Sequence, residues 1–168
     1  MKLSLLFYLL SNSFFIQNEF QFALPEKFGQ LIIDKSNEED VKKILGLPDD
    51  RHEIKKDQCT EIVTPLTMFY QYESLHTDLM FKRKNKKSKY MLQQIGFSTG
   101  TPFEFGAGII IGKSNGEELI TKSGKPENYK EGETLCYYSK GSGNYFTFLC
   151  DKNNIIVRVL VCKSKMCL

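Results

Sequence analysis

Residues 34–48 read DKSNEEDVKKILGLP, and residues 112–126 read GKSNGEELITKSGKP. The two stretches align without a gap. They share a Lys-Ser-Asn start, acidic residues after it, and a glycine followed two positions later by proline. A similarity of this length within one chain indicates an internal repeat, which determines how the rest of the sequence is interpreted. The sequence therefore predicts one small structural unit that occurs twice.

Each stretch begins with the pattern of a helix start. Ser36 precedes Glu39 by three residues, as Ser114 precedes Glu117. This is the spacing of a capping box, in which the serine oxygen accepts from a backbone N–H of the first turn and the glutamate reaches back to the cap. Two short helices with Ser36 and Ser114 as their N-terminal caps are therefore predicted.

Glycines and short aliphatic runs set the limits of these helices. Gly46 and Gly124 stand where each helix would end, and the proline that follows each of them is typical of a helix C-terminus. Residues 31–33 and 109–111 are aliphatic runs rich in isoleucine, and both are predicted as strands. Each unit therefore begins with a strand and a helix.

Three further strands are predicted after each helix. The segments are LTMFYQY, LMFKRK and YMLQQIGF in the first unit, and TLCYYSK, YFTFLC and IIVRVLVC in the second. Their aromatic and β-branched residues, separated by turn sequences, favour antiparallel strands. The predicted fold class is α+β, with two tandem strand–helix–three-strand repeats whose short helices pack on one face of antiparallel sheets.

The pairing of the last two strands predicts which side chains face the core. A turn at residues 151–154 would pair Cys150 with Ile155, Phe148 with Val157 and Phe146 with Val159. Alternation then gives the strands two sides. The core side comprises Cys136, Tyr138, Phe146, Phe148, Cys150, Ile155, Val157, Val159 and Val161, and the opposite side comprises Tyr137, Tyr145, Thr147, Arg158 and Leu160.

The N-terminal segment differs in character from the rest of the chain. A single lysine precedes the apolar stretch 3–16, and Ala23 is a candidate cleavage residue, a pattern typical of a secretory signal peptide. The alternative is an N-terminal element buried in the mature fold. We predict a signal peptide at 1–23, repeat units at 24–99 and 100–168, and a periplasmic or secreted location. The first cysteine is Cys59, so no lipid anchor is expected.

Five cysteines bear on that location. In an exported protein, an odd number leaves at least one thiol unpaired or shared between chains. Cys162 and Cys167 are close enough in sequence to close a small loop and form the predicted disulfide. Cys136 and Cys150 are alternatively buried thiols that act as small apolar residues. The Cys/His spacing of a zinc site is missing from the sequence, and no metal or cofactor is predicted.

One stretch matches a catalytic motif. Residues 96–100 read GFSTG, the G-x-S-x-G of a nucleophile elbow with Ser98 at its centre. That elbow requires a following helix and a later histidine, whereas a proline follows here and both His52 and His76 lie upstream. The polar cluster at 49–53 is far more typical of a charged loop after a helix than of a cation site. No catalytic residue is predicted, and the protein is expected not to be an enzyme.

Residues 82–89 read KRKNKKSK, with six basic side chains in eight positions. As a structural element, this run is a solvated hairpin tip that discourages edge-to-edge aggregation. As a binding element, with Lys84, Lys86 and Lys87, it would make peripheral contact with an anionic surface. The run lacks an aromatic stacking platform and the net charge is only +3, so no nucleic-acid partner is predicted.

The order of capped short helix, G-x-P, paired tyrosines, F-x-F strand and aliphatic last strand resembles the β-lactamase inhibitory protein-like fold. A single unit also resembles the SmpA/OmlA outer-membrane assembly lipoproteins. The resemblance extends from Phe28 to Cys162 and depends on Val41, Gly46, Pro48, Tyr72 and Phe81, and on Leu119, Gly124, Pro126, Tyr138, Phe148 and Val157. It implies two helix-plus-sheet repeats side by side. The chain departs from these families in lacking an acylated cysteine and in having one helix per unit.

These observations favour an exported, non-enzymatic protein-binding module, most simply an inhibitor or a toxin-immunity protein. The alternative is an envelope structural or outer-membrane assembly factor, and a hydrolase acting through Ser98 comes third. Aromatic and arginine side chains on the unburied side of a sheet are typical interface anchors. The predicted partner-binding residues are Phe69, Gln71, Gln94, Tyr137, Tyr145, Arg158, Lys84, Lys86 and Lys87.

Overall fold

The computed structural model describes residues 22–54, 64, 66–106, 108–130 and 134–164. Two α-helices lie within these ranges, α1 (Glu38–Leu45) and α2 (Gly116–Ser123). The strands are β1 (Asp50–Glu53), β2 (Thr67–Tyr72), β3 (Thr77–Lys82), β4 (Met91–Ser98), β5 (Glu104–Phe105), β6 (Ile109–Ile110), β7 (Asn128–Lys130), β8 (Thr134–Ser139), β9 (Asn144–Cys150) and β10 (Ile156–Cys162). Short 3-10 turns span Glu26–Phe28 and Glu73–Leu75.

Eight strands form one antiparallel sheet in the order β1-β2-β3-β4-β10-β9-β8-β7, and β5 pairs with β6 separately. The predicted α+β class with antiparallel sheet structure is confirmed, as are the three strands predicted after each helix. The edge strands β1 and β7 were not predicted. In β1 the sequence is DRHE and every side chain is exposed, so its charges disfavour pairing with another chain at this edge of the sheet. Among the helices described, none has the length and apolarity needed to span a membrane.

The helices begin one residue later than predicted, at asparagine caps. In α1, Asn37 Oδ1 accepts from the backbone N–H groups of Glu39 (2.8 Å) and Asp40 (3.3 Å). Asp40 Oδ2 accepts in return from the Asn37 N–H (2.9 Å), which completes a capping box. In α2, Asn115 Oδ1 accepts from the Glu118 N–H (2.8 Å). Asparagine is as good a cap as serine, so the Ser-Asn sequence alone does not show which of the two residues caps the helix.

The predicted caps Ser36 and Ser114 close the turn before each helix instead. Both side chains are buried, and their Oγ atoms accept from the backbone N–H groups of Ile32 (2.9 Å) and Ile110 (3.2 Å). The cap assignment to these serines is therefore wrong, because their side chains point back along the chain and leave the helix N-terminus to asparagine.

Residues 31–33 form no strand, since Leu31 and Ile32 are irregular and a turn begins at Ile33, so the strand predicted there is wrong. Leu31 and Ile33 are buried while Ile32 is 48% exposed, so the side chains alternate as in a strand. The backbone nevertheless bonds locally, with the Ile32 carbonyl accepting from the N–H groups of Lys35 and Ser36. The corresponding run at 109–111 contains β6, which confirms that prediction for Ile109–Ile110.

Each helix ends at the predicted glycine. Gly46 and Gly124 have φ of 88° and 77°, a region that glycine adopts without strain. A tyrosine from the sheet completes each end, since Tyr72 Oη donates to the Gly46 carbonyl (3.1 Å) and Tyr137 Oη donates to the Gly124 carbonyl (3.0 Å). The phenol rings fill the core while their hydroxyl groups satisfy backbone carbonyls.

One core lies between the two helices and the sheet. Val41 of α1 and Leu119 of α2 are fully buried in the same apolar cluster, so both helices lie on one face of the sheet, as predicted. Many members of the cluster are large aromatic side chains. They include Phe22, Phe28, Tyr70, Phe81, Phe97, Phe105, Phe146 and Phe148.

Phe22 belongs to this core although it lies within the predicted signal peptide. Its ring centroid is 5.1 Å from that of Tyr137, 5.4 Å from that of Phe146 and 5.3 Å from that of Phe148. Its carbonyl accepts from Ser139 Oγ (2.6 Å). Residues 1–21 lie outside the described residues, and the signal peptide stays a prediction. Cleavage after Ala23 would remove Phe22, so a mature chain that keeps this core includes residue 22.

A β-bulge in β10 shifts the pairing of the last hairpin. The observed pairs are Cys150–Ile156, Phe148–Val159 and Phe146–Val161, in place of the predicted Cys150–Ile155, Phe148–Val157 and Phe146–Val159. The predicted register is therefore wrong by one residue before the bulge and by two after it. A bulge inserts a residue without a partner, and simple alternation does not reveal it.

β4 and β10 are the central strands and join the two halves of the sheet, and an ion pair crosses this junction. Asp78 on β3 accepts from Arg158 Nη2 on β10 with both carboxylate oxygens, at 2.7 and 2.9 Å. Gly96 lies between them on β4, and a Cβ atom there would come within 2.7 and 2.8 Å of the two Asp78 oxygens. The missing side chain at Gly96 therefore leaves room for the ion pair.

Phe22→Ala tests whether the segment before Leu24 is part of the folded core. We expect the free energy of unfolding to fall by about 3–5 kcal/mol, because the substitution empties a fully packed aromatic site. Chemical denaturation of the full chain measures this. Leu47→Ala is the control, since Leu47 is 80% exposed. A Phe22→Ala protein as stable as the Leu47→Ala protein would place Phe22 outside the core.

Gly96→Ala tests the ion pair across the junction, and its effect should depend on Asp78. In the native sequence we expect destabilisation by about 1–3 kcal/mol, because the new methyl group displaces the carboxylate. In an Asp78→Ala background the same change should be neutral or stabilise by about 0.5–1 kcal/mol, since glycine is unfavourable inside a strand. Denaturant unfolding of the four proteins gives both values. An equal loss in both backgrounds would contradict the proposed contact.

Candidate functional site

The face of the sheet opposite the helices, called the outer face below, is continuous from β1 to β8. Successive side chains of a strand point to opposite faces, so the residues between core positions lie on it. The strand registers place one row of side chains across the face. From β1 to β8 the row is His52, Phe69, Met80, Gln94, Cys162, Tyr145 and Tyr138.

Five of the predicted partner-binding residues lie on the outer face. They are Phe69 and Gln71 on β2, Gln94 on β4, Tyr145 on β9 and Arg158 on β10. The fold thus brings residues that are distant in sequence onto one surface. Arg158 is held by its ion pair with Asp78, so it presents a fixed and partly neutralised guanidinium group.

Tyr137 does not lie on the outer face, and its predicted outward position is wrong. The side chain is only 6% exposed, and its ring packs against Phe22 and Phe148. β8 pairs Tyr137 with Phe146, a core residue, and paired residues share a face. Burial raises the pKa of the Tyr137 hydroxyl above its usual range. Tyr138 takes the outward position that was assigned to Tyr137.

Two aromatic pairs mark the ends of the outer face. The ring centroids of Tyr138 and Tyr145 are 4.9 Å apart, and those of His52 and Phe69 are 5.4 Å apart with the rings stacked. Sequence reasoning missed His52 because β1 was not predicted. It missed Tyr138 because the predicted core-facing and outward sides of β8 are exchanged in the structure. Tyrosines on either side of the turn at 140–143 were the available signal, since aromatic cross-strand pairs are favourable in hairpins.

The centre of the outer face is closely packed. Leu160 and Cys162 form a second apolar cluster with the partly buried Tyr145 and Leu149. Tyr145 therefore supports the packing of this face as well as facing outward. The more accessible aromatic surface is at Tyr138, which is 39% exposed.

The cysteines divide between the two faces of the sheet, and Cys150 packs against the main core. Cys136 was predicted to face the main core, but it lies on the outer face, where its Sγ accepts from Thr147 Oγ1 (3.6 Å). Cys136 and Cys150 are thiols, and burial raises the pKa of Cys150, with Asp151 acting in the same direction. Cys162 is disulfide-bonded. Its predicted partner, Cys167, lies outside the described residues.

The run at 82–89 forms the tip between β3 and β4, called the basic hairpin below. Its turn is closed by Asn85, whose carbonyl accepts from the Ser88 N–H (3.1 Å) and whose Oδ1 accepts from the Lys87 N–H (3.0 Å). Lys84, Lys86 and Lys87 are exposed on this turn. The three predicted lysines are therefore grouped at one tip beyond the end of the sheet.

A polar cluster attaches α1 to the sheet, and sequence reasoning missed it. The Tyr70 hydroxyl donates to the Glu38 carboxylate, and Arg51 Nε lies 3.6 Å from the same carboxylate. Burial and the Glu38 carboxylate together raise the pKa of Tyr70 to about 12. In the aligned position of α2, Gly116 instead lies against Asn154 and Leu135, and its N–H donates to the Asn154 carbonyl (3.0 Å). The N-terminus of α1 therefore contacts the sheet through charged and polar side chains, and the N-terminus of α2 does so through a close approach of its backbone.

The residues of the G-x-S-x-G stretch do not form a catalytic triad. Ser98 ends β4, and a turn follows it. Ser98, His76 and Asp78 line a shallow hollow of about 320 Å³, but Ser98 meets His76 through the backbone, with its N–H donating to the His76 carbonyl (2.9 Å). Asp78 is engaged with Arg158. In the part of the chain described, no three metal-ligating side chains form a group.

Comparison with known proteins supports the fold. No protein-family model matches the chain, and no curated protein matches it. A solved structure of a DUF4309 family protein (YjgB) from Bacillus subtilis subsp. subtilis str. 168 is similar, with a TM-score of 0.51 and 15% sequence identity. The similarity covers 84% of this chain and 88% of that protein. At this identity the likeness shows a shared fold.

Proposed function

We propose that this protein is a non-enzymatic, exported protein-binding module, either an inhibitor or a toxin-immunity protein, that binds its partner through the outer face. The main support is the row of side chains across that face, with an aromatic pair at each end and a packed apolar centre. Tyrosine and phenylalanine bury large areas on binding at low cost in side-chain entropy. Such a row provides anchors at two separated points.

The sheet is suited to this role because it is pre-organised. Its strands are paired on both sides from β2 to β8, so a partner would meet a surface that loses little freedom on binding. The exposed charges of β1 disfavour the addition of a partner strand at that edge. Docking on the face is therefore the mode that the geometry favours.

We further infer that the chain arose from two tandem copies of a strand–helix–three-strand unit. Equivalent contacts support this inference. They are the Asn37 and Asn115 caps, the Ser36 and Ser114 bonds to the preceding turn, and the Tyr72 and Tyr137 bonds to Gly46 and Gly124. Because the shared residues build these helix ends, partner specificity is expected where the copies differ.

An envelope assembly factor is the second candidate, and the basic hairpin favours it. Exposed lysines beyond the end of the sheet would suit a protein that docks on a membrane complex while its outer face contacts another subunit. The two candidates predict different partners, one soluble protein in the first case and membrane-embedded complexes in the second.

Site-specific photo-crosslinking tests the proposal. A benzophenone amino acid at Tyr138 or at Phe69 should give one discrete crosslinked product in cells of the native host, because both positions lie on the outer face. The same group at Leu47, which is exposed beside α1, should give none. Mass spectrometry of the product identifies the partner and separates the two candidates. Equal products from all three positions, or none from Tyr138 and Phe69, would contradict binding through this face.

Affinity measurements with the identified partner complete the test. Tyr138→Ala is expected to weaken binding by roughly 30-fold or more, the loss typical of an interface anchor. Leu47→Ala is the matched control and should leave the affinity unchanged. Thermal unfolding of each variant shows whether the fold is kept. A Tyr138→Ala protein that is folded and binds normally would exclude Tyr138 as an anchor.

A further inference from the structure

The basic hairpin carries cations that no carboxylate among the described residues neutralises. Arg83 lies 3.8 Å from Glu53 and over the ring of Tyr90, and Lys89 lies 3.9 Å from Glu39. Lys84, Lys86 and Lys87, in contrast, form no ion pair with any of the described residues. Three adjacent lysines are thus held on a hydrogen-bonded turn with their charges directed to solvent.

A hollow of about 510 Å³ lies beside the hairpin, and its charged lining residues are mainly cations, like those of the hairpin. Lys84 contributes to its lining, as do Arg83 and Lys89, whose partners Glu53 and Glu39 are not among the lining residues, and Asp34 supplies the single carboxylate of the lining. Asp34 Oδ1 already accepts from Gln93 Nε2 (2.7 Å), which engages part of its charge. An excess of cations around a concave surface concentrates anions there.

The composition of the tip restricts the kind of partner. Residues 83–89 contain no apolar side chain that could form the core of a protein interface. The neighbouring Tyr90 is buried and its ring is covered by Arg83, so it cannot stack on a nucleotide base. Attraction without apolar anchors or stacking is the mode in which lysine clusters bind a layer of anionic lipid headgroups.

We propose that the basic hairpin docks the protein on an anionic phospholipid surface, with Lys84, Lys86 and Lys87 at the headgroup layer and lipid phosphates entering the adjacent hollow. This contact is separate from the outer face and does not depend on the protein-binding proposal. The second unit has no equivalent, since the turn between β9 and β10 carries one lysine, Lys152, beside Asp151. The proposal therefore assigns the function to one end of the molecule.

Vesicle binding by the full chain tests this directly. Sedimentation compares phosphatidylcholine vesicles with vesicles that also contain about one-third phosphatidylglycerol, and the ratio of the two affinities is the readout. That ratio cancels any contribution of the apolar N-terminal stretch to both lipids. We expect a clear preference for the anionic vesicles that disappears in high salt. Lys84→Gln/Lys86→Gln/Lys87→Gln should reduce it by about fivefold per lysine, on the order of a hundredfold in total.

The matched control removes three exposed lysines elsewhere, as Lys113→Gln/Lys125→Gln/Lys152→Gln. It makes the same change in net charge and should keep most of the preference. An equal loss in both triple variants would overturn the proposal, because net charge alone would then explain binding. No preference of the native protein for anionic vesicles would overturn it as well. Tighter binding to single-stranded oligothymidylate or to polyglutamate than to the vesicles would assign the hairpin to another class of partner.

Discussion

The pairing of β4 with β10 is the constraint on which the rest of the structure depends. It joins four strands from the first part of the chain to four from the second in one sheet, and so places two helices over one shared core. The Asp78–Arg158 ion pair crosses the same junction above Gly96. Without this pairing, β4 and β10 would be open edges, and unpaired edges invite association with other chains.

The outer face is a consequence of that junction. The row from His52 to Tyr138 exists as one surface only because β4 and β10 are neighbours. Side chains on β2 and β9, which belong to opposite ends of the sequence, can then contact the same partner. The basic hairpin extends from the strand next to β4, so the proposed membrane contact is also positioned by the central strands of the sheet.

The sequence predicted where the helices and strands lie better than it predicted which residue caps each helix and which strand side chains face the core. The helices, their glycine ends and the three strands after each helix follow from local patterns that do not depend on distant contacts. The caps were displaced by one residue because serine and asparagine stand side by side and both can cap. The predicted register of the last hairpin is wrong because its loop spans 151–155, one residue more than predicted, and because a bulge at Ile156–Arg158 adds another residue that alternation cannot show.

The candidate site was predicted only in part, for similar reasons. Phe69, Gln71, Gln94, Tyr145 and Arg158 were found because their strands were identified with the right outward side. Tyr137 and Tyr138 were exchanged, since adjacent tyrosines give no local signal for which one faces the core. The hydrogen bond from Tyr137 to Gly124 decides the matter, and it is a contact between separate elements. His52 was missed because a short charged edge strand has no apolar pattern.

The central claim is that the two parts of the chain form one cooperative sheet rather than two units that fold separately. Native-state hydrogen exchange tests it most directly, since it reports the free energy at which each segment opens. Backbone amides of β2–β4 and of β8–β10 that are protected by the sheet should exchange with the same maximal free energy, equal to that of global unfolding. Two distinct values, with β8–β10 opening while β2–β4 stay protected, would contradict the account.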